Sequence, residues 1–238
     1  MPKKGYGFTF NGVRSDDMGV LLVWYPELPR AKRNAQKLPI PGRSGALTVD
    51  DGSYADISFS LACRARGDAD RAAVSAWLTG PGELVFDEEP GFAYRASLTE
   101  EFRYARYMQR SFAADFTVKA DAQPFRYQTP PARLTLTAPG FVVNPGTVFA
   151  EPKLTLTGSG DIGLAAAGKT LLISALSGTL VVDCEAKLAY KPGADGAPAT
   201  LATLSLAGDW PTLPPGPSAI TWTGALESAV VEPNWRWL

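Results

Sequence analysis

Two stretches of this 238-residue chain carry the spacing of phosphate-binding loops. GLAAAGKT at 163–170 matches G-x-x-x-x-G-K-[ST], with TLVVD at 179–183 as a companion acidic strand, and GSGDIG at 158–163 matches G-x-G-x-x-G. Such a loop works only between a strand and a helix, because helical N–H groups and the helix dipole must meet the phosphate. After Lys169-Thr170 the segment LLISALSG breaks at Gly178, and the mock acidic strand follows too soon for a crossover. Both matches are therefore read as strand and turn, and no nucleotide is expected.

The acidic clusters Asp87-Glu88-Glu89 and Glu100-Glu101 could supply paired carboxylates for glycoside hydrolysis. They lie among Arg95, Arg103 and Arg106, which favours a solvated or intersubunit charged face. With no histidine in the chain, neither a Ser-His-Asp triad nor a Cys-His dyad can be assembled, and the commonest metal ligand is missing. Arg66-Gly67-Asp68 spells an integrin tripeptide, but Asp68 serves more simply as a helix cap. Cys63 and Cys184 lie far apart and read as buried free thiols. Trp210, Trp222, Trp235 and Trp237 crowd the last third, where they could stack on sugars or fill a core. No catalytic, cofactor-binding or metal-ligating residue is expected.

The elements that would have to position any site are mostly strands. The chain has 23 Gly and 20 Pro, and its short apolar runs are broken by turn residues. Phe8 and Phe10 alternate before an Asn11-Gly12 turn, and an apolar run follows from Val20 to Trp24, which together read as a hairpin. Ile57, Phe59, Leu61 and Cys63 alternate on one strand face, as do Phe112, Ala114, Phe116 and Val118. One helix is expected over about 69–79, capped by Asp68 and stopped by Gly80-Pro81-Gly82.

Charge divides the chain. Residues 1–128 hold 17 Lys+Arg and 16 Asp+Glu, whereas 129–238 hold 6 and 8. The seam at Pro130-Pro131 places a domain boundary there, 1–128 and 129–238. Beyond it, strand signals alternate with turns at the spacing of an antiparallel β-sandwich. Tyr25–Arg43 is basic and Pro-rich, too charged for a core and too broken for a helix, and reads as an extended arm. The net charge of −1 gives no global reason to expect nucleic acid or an anionic membrane as partner. The N-terminus lacks the apolar core of a secretory signal, and Thr170–Val182 is too short to span a bilayer.

In order and spacing, several blocks resemble the siphophage distal tail proteins (Dit). These are Phe8-x-Phe10-Asn11-Gly12, the turn Ser15-x-Asp17-Met18-Gly19-Val20, and the extended segment with Pro26 and Pro29. They continue with VVNPGTVFAEPKLTLTGSGDIGL, TLVVDCEAKLAY, GDWPTLPPGPSAITWTG and the closing EPNWRW, so that the resemblance covers nearly the whole chain. It implies a mostly β protein, with an N-terminal β-barrel- or sandwich-like ring-forming domain carrying one helix and a C-terminal galectin-like sandwich. The function implied is a structural one, not an enzyme's: a hexameric ring of self-copies in the virion, at the distal end of a tail assembled in the host cytoplasm. It would join tail-tube protein to tail-tip or baseplate protein, with a channel for genome passage, no sequence-specific DNA binding and no membrane. Trp24, Tyr25, Arg30, Lys32, Arg33, Lys37 and Arg43 are the candidate ring-interface residues. The alternative is a carbohydrate-binding sandwich for host-surface attachment; galectins proper use a His-containing sugar strand, which this chain lacks.

Overall fold

A computed structural model of the chain describes residues 7–66, 69–99, 105–106 and 114–238. It is mostly β with one α-helix among the described residues. The first elements are β1 (Phe8–Phe10), β2 (Val13–Arg14), β3 (Val20–Leu22), β4 (Arg33–Pro39), β5 (Ala46–Tyr54) and β6 (Ile57–Ala65). Then come α1 (Arg71–Trp77), β7 (Gly80–Phe86), β8 (Phe92–Thr99), β9 (Ala105–Arg106) and β10 (Ala114–Gln128). The remainder comprises β11 (Leu134–Leu136), β12 (Gly140–Asn144), β13 (Lys153–Ala166), β14 (Lys169–Asp183) and β15 (Leu188–Pro192). It ends with β16 (Pro198–Leu201), β17 (Leu206–Gly208), β18 (Gly216–Glu232) and β19 (Arg236–Trp237). The chain divides into two compact units, one running to Arg126 and including Leu238, the other Tyr127–Trp237.

In the first unit an antiparallel sheet runs in the order β2-β1-β7-β8-β10-β6-β3. Strict alternation builds its inner face: in β6, Ile57, Phe59, Leu61, Cys63 and Ala65 are buried, and in β10 Phe116, Val118, Ala120 and Ala122 face them. Asn11 and Gly12, both at positive φ, make the two-residue turn between β1 and β2. The apolar run after Gly19 does not continue that hairpin. It forms β3, which pairs with β6 at the other edge of the sheet.

The helix starts later than its first acidic residue suggests. Asp70, not Asp68, is the cap, its carboxylate accepting from the Ala72 and Ala73 amides; Asp68 lies outside the described residues. The helix buries Val74 and Leu78, while Trp77 stacks on Phe8 at 5.6 Å and donates its indole N–H to the Phe10 carbonyl at 3.0 Å. Each large side chain so buried contributes about 1.5–3 kcal/mol.

The second unit is an eight-stranded antiparallel sheet, β11-β18-β13-β14-β15-β16 with β12 on β18 and β17 on β14. Its core holds Leu154, Leu156, Ile162, Leu164 and Leu171, all essentially inaccessible. β13, β14 and β18 are long strands bent at bulges, the ladders slipping register near Gly160 and between Thr157 and Gly163. Cys63 and Cys184 are free and buried, and burial pushes both thiols up to about 12.

Candidate functional site

The phosphate-loop spacing is spent on a β-hairpin. β13 ends at Ala166, Ala167 and Gly168 turn the chain at φ +50° and +81°, and Lys169 opens β14. No helix follows, so no helical amides converge on a phosphate. GSGDIG is not the turn expected from sequence either. It lies within β13, where the chain bulges, because a glycine-rich run in a bent strand serves the bulge as well as it would a turn. Lys169→Ala is expected to change nothing in an ATP or GTP titration; micromolar binding that disappears with the lysine would contradict this.

The acidic cluster is neutralised from within the first unit. Asp87 takes a 2.6 Å bond from the Arg14 guanidinium, and both Glu89 oxygens accept from Arg126 at 3.0 Å. Neither is aimed at a second carboxylate across a cleft, as glycoside hydrolysis needs. Glu100, Glu101 and Arg103 lie outside the described residues, and the Arg106 side chain is not described. Among the described residues, no group of three or more His, Cys, Asp or Glu could hold a metal ion. Trp235 is buried in the second core, and Trp210, Trp222 and Trp237 are partly buried against it.

What stands out from the first unit is the β4–β5 hairpin. All of β4 and nearly all of β5 are exposed, on both faces. The register pairs Leu38 with Leu47, Gln36 with Val49, Lys37 with Thr48 and Ala35 with Asp50. Alternation therefore sorts the side chains: Leu38, Leu47 and Val49 share one face with Gln36, and Lys37, Thr48 and Asp50 take the other. Leu38 is 48% exposed, Leu47 41% and Val49 47%, with Ile40 at 40% just beyond the strand. An isolated two-stranded ribbon is only marginally stable in water.

The base of this hairpin is held by polar contacts. Arg33 pairs with Asp50 at 2.5 Å and lies 5.4 Å from the Tyr54 ring centroid. Asn34 donates to Ser53 Oγ, and Asp51 accepts from both the amide and the hydroxyl of Ser53. The Arg33 hydrogen bond, aided by the Gly52 amide, holds the Asp50 carboxyl below its ordinary range. Its help to the hairpin is therefore present above the ordinary carboxylate pKa and fades as pH falls through the lowered one.

The seven candidate interface residues divide. Trp24 is 67% exposed, and Arg30, Lys32, Arg33, Lys37 and Arg43 are exposed. Tyr25 is not: its ring lies 4.9 Å from Phe86, and burial, with Glu89 nearby, raises its hydroxyl pKa. With Leu28 and Ala31 it packs on the first core. The reading of Tyr25–Arg43 as an arm too charged for a core is thus corrected at its start. There Ala31 is buried in the core and Tyr25 and Leu28 are partly buried against it. The residues missed by sequence are Leu38, Ile40, Leu47 and Val49; the signal was the Leu47-x-Val49 alternation after a Gly42–Gly45 turn.

Comparisons with family models and with curated proteins find no match. Among solved structures, the chain is similar to the crystal structure of the Dit protein of phage SPP1, described as a paradigm of hub adsorption apparatus in phages infecting Gram-positive bacteria. Identity is 15%, the match covers 99% of this chain and 100% of that one, and the TM-score is 0.71. At that identity the likeness is one of fold, spanning both units.

Proposed function

We propose that this chain is a phage tail hub of the distal tail type: a structural protein, not an enzyme. Six copies form a ring through the first unit, join the tail tube to the tip or baseplate, and leave a channel for the genome. The second unit is a galectin-like sandwich. One observation carries the reading, the amphipathic hairpin Arg33–Tyr54, which exposes an apolar face that its own subunit leaves uncovered. A surface offered by one copy to a different surface of the next makes a heterologous contact, which closes into a ring where the rotation between copies fits. Support comes also from the fold shared with the SPP1 protein along the full length. Arg33, Lys37 and Arg43 lie on the hairpin, and Trp24, Arg30 and Lys32 precede it in the chain; all six are exposed.

The test is the mass of the purified chain by light scattering, with negative-stain images down the symmetry axis. The expected result is a mass six times that of the chain and a ring with a central hole. A monomer at every concentration that binds glycans on an array would overturn the hub in favour of a lectin.

A further inference from the structure

Edge strands invite pairing with another chain, and most edges here are guarded. β2, β3, β11 and β17 are two or three residues long, and β16 begins with Pro198. β4 carries Lys37 and Pro39, and β5 carries Asp50 and Asp51. β12 is the exception: five residues, Gly140-Phe141-Val142-Val143-Asn144, without charge, proline or bulge. It pairs with β18 on one side, and no second strand pairs with it among the described residues. Val142 and Asn144 point inward and are buried, whereas Phe141 is 76% and Val143 62% exposed.

We infer that β12 is a self-pairing edge that takes β12 of a second copy as its neighbour, antiparallel and centred on Val142. The sequence around it is symmetric for this purpose. Pro139 and Pro145 each stand three residues from Val142, so in the centred register the two prolines fall opposite each other, outside the ladder. A slip of two residues sets a proline, which cannot donate, against a pairing position. The centred register also places Phe141 of each copy opposite Val143 of the other, on the outward face. These aromatic–β-branched cross-strand pairs are a favourable kind. They cover the two side chains that the single copy leaves bare. No charged residue lies on β12 or on the β18 stretch Gly216–Ile220 beside it, so like charges do not oppose the two-fold contact. A chemically different partner strand has no matching feature to read here; the edge is complementary to itself. The contact is small beside the about 800 Å² per partner of a stable dimer, so pairing is expected at about 0.1–1 mM rather than at trace concentration.

The test uses the full chain and is independent of the ring. Sedimentation and backbone hydrogen exchange are measured over a concentration series up to about 1 mM, for the natural chain and for Phe141→Lys/Val143→Lys. Both substitutions fall on exposed side chains, so circular dichroism should be unchanged. The expected result is a doubling of the basic species, whether single chain or ring, with β12 amides gaining protection as concentration rises. The lysine variant should lose both, with at least a tenfold weaker association. No concentration-dependent protection in β12, or equal self-association by the variant, overturns the proposal. Failure of the ring is read separately, as the absence of a six-fold species.

Discussion

Lysine in place of Leu38, Leu47 and Val49 is expected to leave both units folded and to reduce the ring to single chains. The three side chains share one face of the hairpin and are between 41% and 48% exposed, so the isolated chain loses little when they change. In a ring, burying the part of each side chain that is still exposed, close to half of it, is worth about 0.7–1.5 kcal/mol apiece, or about 2–4 kcal/mol per joint. A loss of that size weakens association about thirtyfold to a thousandfold. Thr48→Asp on the opposite face, beside Lys37, should leave the ring intact. Light scattering reads the outcome, with circular dichroism as the check on folding. A six-fold species that survives the triple substitution would show that the hairpin face is not the joint. These substitutions are better suited than deleting residues 26–40, because Leu28 and Ala31 pack on the core of their own subunit.

The half-buried strands were legible because burial writes the alternation into them. Ile57, Phe59, Leu61 and Cys63 point inward as their spacing demands, and so do Phe116 and Val118; Phe112 lies outside the described residues. The β4–β5 hairpin reads as an arm for the converse reason. In its own subunit neither face is covered, so charge, proline and Asp50-Asp51-Gly52 interrupt the pattern without cost to the core. The helix was placed correctly but its cap was not. Asp68 and Asp70 are equally acidic, and only the geometry of the first turn selects the one whose oxygen reaches the amides two and three residues on.

Glycines misled in a more specific way. Gly158, Gly160, Gly178 and Gly224 look like breaks between short strands. They sit instead within the long strands β13, β14 and β18. One residue, Asp161, ties the bends of these three strands together. Its carboxylate accepts the Ala175 amide of β14 at 2.9 Å, and its carbonyl faces Gly224 of β18. A bulge and a turn make the same demand on sequence, a residue free to take positive φ, so composition alone does not separate them.

That junction makes Gly224 the position where one added carbon should do most damage. Its φ is +92°, and a Cβ there would lie 2.2 Å from the Asp161 carbonyl oxygen and 2.9 Å from Ile162 Cδ1. The near atom is backbone in the bulge that joins two paired stretches of β13, so it cannot rotate away as a flexible side chain could. Gly224→Ala therefore incurs about 1–3 kcal/mol for the backbone conformation and about 1–3 kcal/mol more for forcing β13 and β18 apart. Together these amount to a large fraction of the stability of a domain this size. Gly168→Ala isolates the first contribution: its φ is +81°, but nothing lies within 4 Å of the added carbon, so about 1–2 kcal/mol is expected. Urea unfolding followed by tryptophan fluorescence reads the second unit through Trp222, Trp235 and Trp237, which belong to or pack against its core. The Gly224 variant should lose at least twice the stability of the Gly168 variant. Equal, small losses would mean that the three strands can part at Asp161 without penalty, and that the bend is not held by this contact.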